Sequence, residues 1–196
     1  LDDEIPAAGG QATLVPLDLT DGEGVDRLGG AIHERWGKLD ILVANAAILG
    51  PISPIGHIKA KDFEAVMAIN VTATWRLMRT TERLLHESDA GRAIIMSSGA
   101  AQTCKPFWGA YSASKAAVEA LARTWAGEAQ NTPLRVNSVD PGRTRPRMRA
   151  QAMPGEDPET LPTAASVAEK IVPLAGPSIV ETGRVWHVPT TSWLDE

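Results

Sequence analysis

Residues 108–122 read Trp-Gly-Ala-Tyr-Ser-Ala-Ser-Lys-Ala-Ala-Val-Glu-Ala-Leu-Ala, and the chain on either side is arranged about them. Ala113, Ala116, Ala117, Ala120, Leu121 and Trp125 recur at helical spacing with few breakers, which predicts a helix. Upstream, the apolar run Ala93–Met96 reads as a buried strand. Downstream, Leu134–Val139 reads as another, entered through Pro133 and stopped by Asp140-Pro141-Gly142. Strands that alternate with helices in this way predict an α/β class with a parallel sheet.

Within the run, Tyr111 and Lys115 stand at i and i+4 and so share a helix face. A free phenol, with a pKa near ~10, is a poor base at neutral pH. A lysine cation beside it favours the phenolate. Such a tyrosine can give a proton to a carbonyl oxygen or take one from an alcohol. Tyr-x-x-x-Lys alone is equally an ordinary helix start. The pattern gains weight from Ser98, which follows the Ala93–Met96 strand. In open parallel sheets ligands bind outside the carboxyl ends of the strands, where this hydroxyl would lie.

Four segments, in this order, resemble those of the short-chain dehydrogenases/reductases. The stretch 97–122 is similar to the family's active-site segment. Ile41–Ile48 (ILVANAAI) is similar to its Asn-Asn-Ala-Gly segment, with Ala44 and Ala47 in place of the first Asn and the Gly. Residues 67–75 (MAINVTATW) carry Asn70 where the family has a fourth catalytic residue, and 135–148 (RVNSVDPGRTRPRM) is similar to its Pro-Gly segment. The resemblance implies a Rossmann-like, doubly wound parallel sheet and hydride transfer between NAD or NADP and a carbonyl or secondary alcohol. It assigns Tyr111 as acid/base, Lys115 as its tuner and ribose contact, Ser98 as the polariser of the substrate oxygen, and Asn70 as the anchor of a water that links Lys115 to solvent. For the cofactor it implies Asp18 and Leu19 at adenine, Asn45, Ala46 and Ala47 near the ribose, and Pro141, Gly142 and Thr144 behind the nicotinamide. Pro146 departs from the family, which often has a carboxamide-binding Thr there.

The family fold opens with two strands and a Gly-rich pyrophosphate turn, and no such segment occurs here. The chain is therefore expected to be a piece of a longer protein. By resemblance the strand order is 3-2-1-4-5-6-7, and loss of strands 1 and 2 would orphan an edge strand at Ala12–Asp18. It would also bare one edge of Ile41–Ala44.

The 196 residues carry a net charge of −5 and a single cysteine, Cys104. A chain of this length is read as one domain, large enough for a good core. The acidic balance argues against nucleic acid as a partner. A lone cysteine fits a reducing compartment, hence a cytoplasmic expectation. His33, His57, His86 and His187 lack metal-ligand spacing. No uncharged apolar run approaches the ~20 residues that span a bilayer, and no signal peptide opens the chain.

Further elements follow from local pattern. Ala12–Asp18 predicts an edge strand, since Pro16 lacks an N–H. Thr20-x-x-Glu23 predicts a capping box. The helix after it carries Val25, Leu28, Ile32 and Trp36 and ends at Gly37. Asp40–Ala44 predicts a strand buried on both faces, residues 50–57 a loop, and Asp62 the start of a long helix. Residues 143–162 read as a mobile substrate lid, Thr163 as the cap of a last helix, and 183–188 as a final strand. Arg143, Arg145, Arg147 and Arg149 suit a solvated loop, or else face an anionic substrate or a cofactor phosphate. Trp108 is placed to floor the substrate pocket. Trp75 and Trp125 lie on helices that by resemblance form a homodimer or homotetramer contact. A rival reading is a non-catalytic nucleotide-binding or scaffolding relative. A third, an extended-branch epimerase, needs a substrate domain for which this chain has no room.

Overall fold

The computed structural model describes residues 4–145 and 147–194, Arg147 by its backbone alone. In chain order the helices are α1 (Glu4–Ala7), α2 (Gly22–Trp36), α3 (Ala60–Met67), α4 (Ala73–His86), α5 (Ala100–Thr103), α6 (Gly109–Glu128), α7 (Arg147–Ala152) and α8 (Ala164–Glu169). The strands are β1 (Ile41–Ala44), β2 (Arg92–Met96), β3 (Arg135–Asp140), β4 (Val185–His187) and β5 (Ser192–Trp193). They form a sheet in the order β1-β2-β3-β4-β5, parallel except for the last pair. The α/β, Rossmann-like architecture expected from the sequence is present, and β5, from a tail left unassigned there, closes the sheet with an antiparallel return.

Alternation along the strands sorts the core into two faces. Leu42, Ala44, Ala93, Ile95 and Val136 pack beneath α4 and α6 with Leu85, Val118, Ala122 and Trp125. Ile94 and Val139 point the other way, into Val167, Leu174 and Val188. That second layer stops short of β1. Its Ile41 and Val43 remain 43% and 51% exposed, so the expectation of burial on both faces fails here. An apolar run predicts a strand but not how much of the sheet is roofed.

Two other expectations are corrected. Residues 10–18 form no strand, because β1 pairs with β2 alone and no neighbour is left to them. The cap of α2 is Asp21, whose carboxylate accepts from the Gly24 N–H, whereas Thr20 bonds to Asp18. Gly37 ends α2 as expected, in the left-handed region at φ 73°.

The long helix predicted from Asp62 starts at Ala60 and is broken by a π turn, Ala68–Thr72, between α3 and α4. At the far edge, Trp186 of β4 meets Trp193 of β5 edge to face, 5.1 Å between centroids. Just beyond β4, Pro189 packs so tightly on Gly142, at φ 69°, that no side chain could replace the glycine hydrogen.

Candidate active site

A cavity of about 740 Å³ opens at the carboxyl ends of β1, β2 and β3. Asn45, Ala46 and Ala47 line it from the loop after β1, Ser97 and Ser98 from the end of β2, and Pro141, Gly142 and Thr144 from the turn after β3. Tyr111 and Lys115 enter from the first turns of α6. These predicted residues, scattered through the sequence, are brought together because parallel strands end side by side.

The chemical groups sit close. Ser98 hydrogen-bonds to the Tyr111 phenol. The Lys115 ammonium donates to the Met96 carbonyl at 2.7 Å and stands 5.7 Å from the centroid of the Tyr111 ring. Burial pushes the Tyr111 phenol up; the Ser98 hydrogen bond opposes this, and the Asp140 carboxylate adds to it. Burial pulls Lys115 down to about 8, against the Glu119 carboxylate. The expected lowering of the phenol by Lys115 is thus not what the protein alone displays. The ammonium is tied to the end of β2, and loss of water around the ring is the leading influence on the phenol.

Asn70 lies outside this lining. Its side chain accepts from the Ile48 N–H at 2.8 Å and donates to the Ile48 carbonyl and the Ser114 hydroxyl, each at 2.9 Å. Its own carbonyl accepts from the Thr74 hydroxyl at 2.8 Å. The π turn explains why a polar residue sits mid-helix: it widens one turn so that the buried Asn70 faces inward. Asp18 and Leu19 are not among the lining residues either. The Asp18 carboxylate caps its own turn, accepting from the N–H and hydroxyl of Thr20, both at 2.8 Å. Pro146 lies outside the described residues.

One end of the cavity is apolar. Leu49 and Tyr111 are buried there, with Trp108, Met148 and Ala152 packed against them. Trp108 meets Tyr111 edge to face at 6.0 Å, as its place before α6 suggested. Three of the arginines pair with acids of the same segment, Arg143 while still largely exposed, and the Arg147 side chain lies outside the described residues. Arg149 grips Glu156 with two bonds and Arg143 approaches the same carboxylate at 3.9 Å, while Arg145 pairs with Glu159 at 2.9 Å. Glu156 is held below the usual carboxylate range by the Arg149 hydrogen bonds.

The sequence reading missed Leu49, Met148 and Ser97, whose apolar or generic character gave no signal. It also missed Glu119, a buried acid that accepts from Ser97 and Gln102. Its place one turn after Lys115 could have flagged it. Among the described residues no group of His, Cys, Asp and Glu could hold a metal ion, and no helix is long and apolar enough to cross a membrane.

The family model described as short chain dehydrogenase matches residues 1–157. The chain belongs to the short-chain dehydrogenase/reductase family. Among curated members of that family, it is 38% identical over 154 residues to the uncharacterized oxidoreductase YciK of Escherichia coli, covering 79% of this chain and 61% of the relative. It is 34% identical over 135 residues to a sorbitol dehydrogenase of Cereibacter sphaeroides, covering 68% and 52%. A solved putative short chain dehydrogenase from Pseudomonas syringae superposes with a TM-score of 0.92 at 35% identity, over 95% of this chain and 78% of that one. Another, from Shigella flexneri in complex with NADP, gives 0.89 at 36% identity, over 96% and 78%. This dehydrogenase/reductase chain thus spans about three-fifths of the length of the first of these curated relatives.

Proposed function

We propose that the protein transfers a hydride between NAD or NADP and a carbonyl or secondary alcohol, with Tyr111 as the acid/base. The observation that carries this reading is the convergence of Ser98, Tyr111 and Lys115 on one cavity at the strand ends. The NADP complex of the similar Shigella flexneri protein supports the choice of cofactor.

The cavity fits the nicotinamide end of such a cofactor. Ala46, Ala47 and Gly142 present little bulk, so a flat ring can lie against the backbone. Asn45 and Lys115 offer polar groups to a ribose, and Pro141 and Thr144 back the ring. Asp18 and Leu19, at the turn before α2, are assigned to the adenine end. When bound, the reduced nicotinamide supplies the hydride to the carbonyl carbon. Tyr111 gives its phenolic proton to the carbonyl oxygen, and in the reverse direction takes it back. Ser98 donates to the same oxygen and withdraws charge from the carbon. Lys115 restores the proton balance of Tyr111, and Asn70 keeps the β1 loop registered on α6. Residues 143–162 act as the lid, held by Arg149–Glu156 and Arg145–Glu159.

The test is oxidation of NADPH or NADH with a panel of ketones and aldehydes, followed by absorbance, for the wild type and for Tyr111→Phe. Turnover lost in the variant supports the reading; equal turnover rejects it. The non-catalytic alternative predicts nucleotide binding without turnover in both.

A further inference from the structure

Two large apolar side chains lie exposed next to Trp108, outside the cavity lining. The next residue out, Phe107, is held at φ 74°, a left-handed backbone that a bulky side chain rarely adopts. Its carbonyl accepts from the Ser53 N–H at 3.0 Å, which joins the 51–57 loop to the start of α6. Phe107 is 55% exposed, and Ile55, 81% exposed, lies against Gly109, so the two flank Trp108 along the chain. Inside, Leu49, Met148 and Trp108 form a continuous apolar wall leading to Tyr111. The charge along this path is already spent. Of the described lining residues only Lys115 and Arg149 are cationic; Lys115 is bonded to Met96, and both faces of the Glu156 carboxylate are taken by Arg149.

We propose that the substrate is an uncharged carbonyl compound with an elongated apolar body, whose carbonyl meets Ser98 and Tyr111 and whose far end leaves the cavity over Phe107 and Ile55. This rests on the hydride-transfer reading for the carbonyl, but not for the apolar track. A sugar would meet a wall that offers its hydroxyls little beyond the Trp108 indole N–H. A carboxylate would meet an arginine already paired.

The experiment follows tryptophan fluorescence on adding 2-butanone, 2-hexanone, 2-decanone, 4-oxopentanoate or glucose, with and without NADP, using Trp108→Phe to identify the signal from this wall. Affinity is expected to rise about threefold to fourfold for each methylene that becomes buried. The 4-oxopentanoate, short enough to keep its carboxylate inside the cavity, is expected to bind at least tenfold more weakly than 2-hexanone. Phe107→Ser and Ile55→Ser are expected to lower the ratio of 2-decanone to 2-hexanone affinity. A flat dependence on length, tighter binding of the acid or of glucose, or a ratio unmoved in both variants overturns the proposal. Length-dependent binding without any NADPH oxidation leaves the proposal standing and sinks hydride transfer. Turnover that favours charged or polyol substrates does the reverse.

Discussion

The side-chain amide of Asn70 donates to the Ser114 hydroxyl at 2.9 Å, and Ser114 in turn donates to the Tyr111 carbonyl at 2.8 Å. With its two bonds to the Ile48 backbone, this residue locks the loop after β1 to the turn of α6 that carries the phenol. Asn70→Ala would strip partners from both backbone groups of Ile48, at a cost of about 2–4 kcal/mol. Asn70→Asp would set a carboxylate against the Ile48 carbonyl and is expected to cost at least as much at neutral pH. Urea denaturation of the two variants measures both.

Tyr111 is the only tyrosine in the sequence, so phenolate absorbance titrates this one group. Burial is the leading cause of its raised pKa, and the midpoint without cofactor is expected above 10. A midpoint below 10 contradicts the burial argument. Tyr111→Phe is expected to keep the far-ultraviolet circular dichroism and to lose turnover by ~10²-fold or more. In the oxidation direction the phenolate is the base, so the rate is expected to rise with pH; a flat profile counts against the role.

Burial pulls Lys115 down to about 8 in the fold, from an ordinary value of 10.5. Below pH 8 both states hold the proton and the full burial cost is present. Between the two values the unfolded chain keeps the proton that the folded chain releases, so stability rises with pH. Lys115→Met removes that cost. Its stability relative to wild type is expected to be highest near neutral pH, on the order of 1–3 kcal/mol more favourable than at pH 10.5, while turnover is lost. Thermal melts across that range would show the gap shrinking.

Arg92 commits all of its N–H groups to carbonyls: Nε to Gly176, Nη1 to Gly91 and Pro133, and Nη2 to Pro177 and Ile179. A lysine has fewer donors, on a point rather than a fork. Arg92→Lys is therefore expected to cost about 2–4 kcal/mol, little better than Arg92→Met, in guanidinium denaturation.

The parts of the site legible in the sequence are those set by local geometry. Tyr111 and Lys115 are one helical turn apart, and Ser98 and Pro141-Gly142 follow apolar runs, so strand ends alone place them. What depends on distant partners was not legible. Val43 is exposed because no helix covers its face of β1, and residues 10–18 are left outside the sheet. Arg149 reads as a free cation until Glu156 is seen across the lid. Arg92 at the start of an apolar strand gave no hint of the backbone turn that receives it. The π turn at Asn70 interrupts what the local pattern presents as one continuous helix.

Because Pro189 buttresses Gly142, and the Trp186–Trp193 contact clasps the hairpin around Pro189, the floor beneath the reacting atoms is fastened by nearly the last described residues of the chain. During synthesis, the helix bearing Tyr111 and Lys115 emerges long before that clasp. A nascent chain would therefore bring Tyr111 and Lys115 into register before the glycine turn opposite them is buttressed.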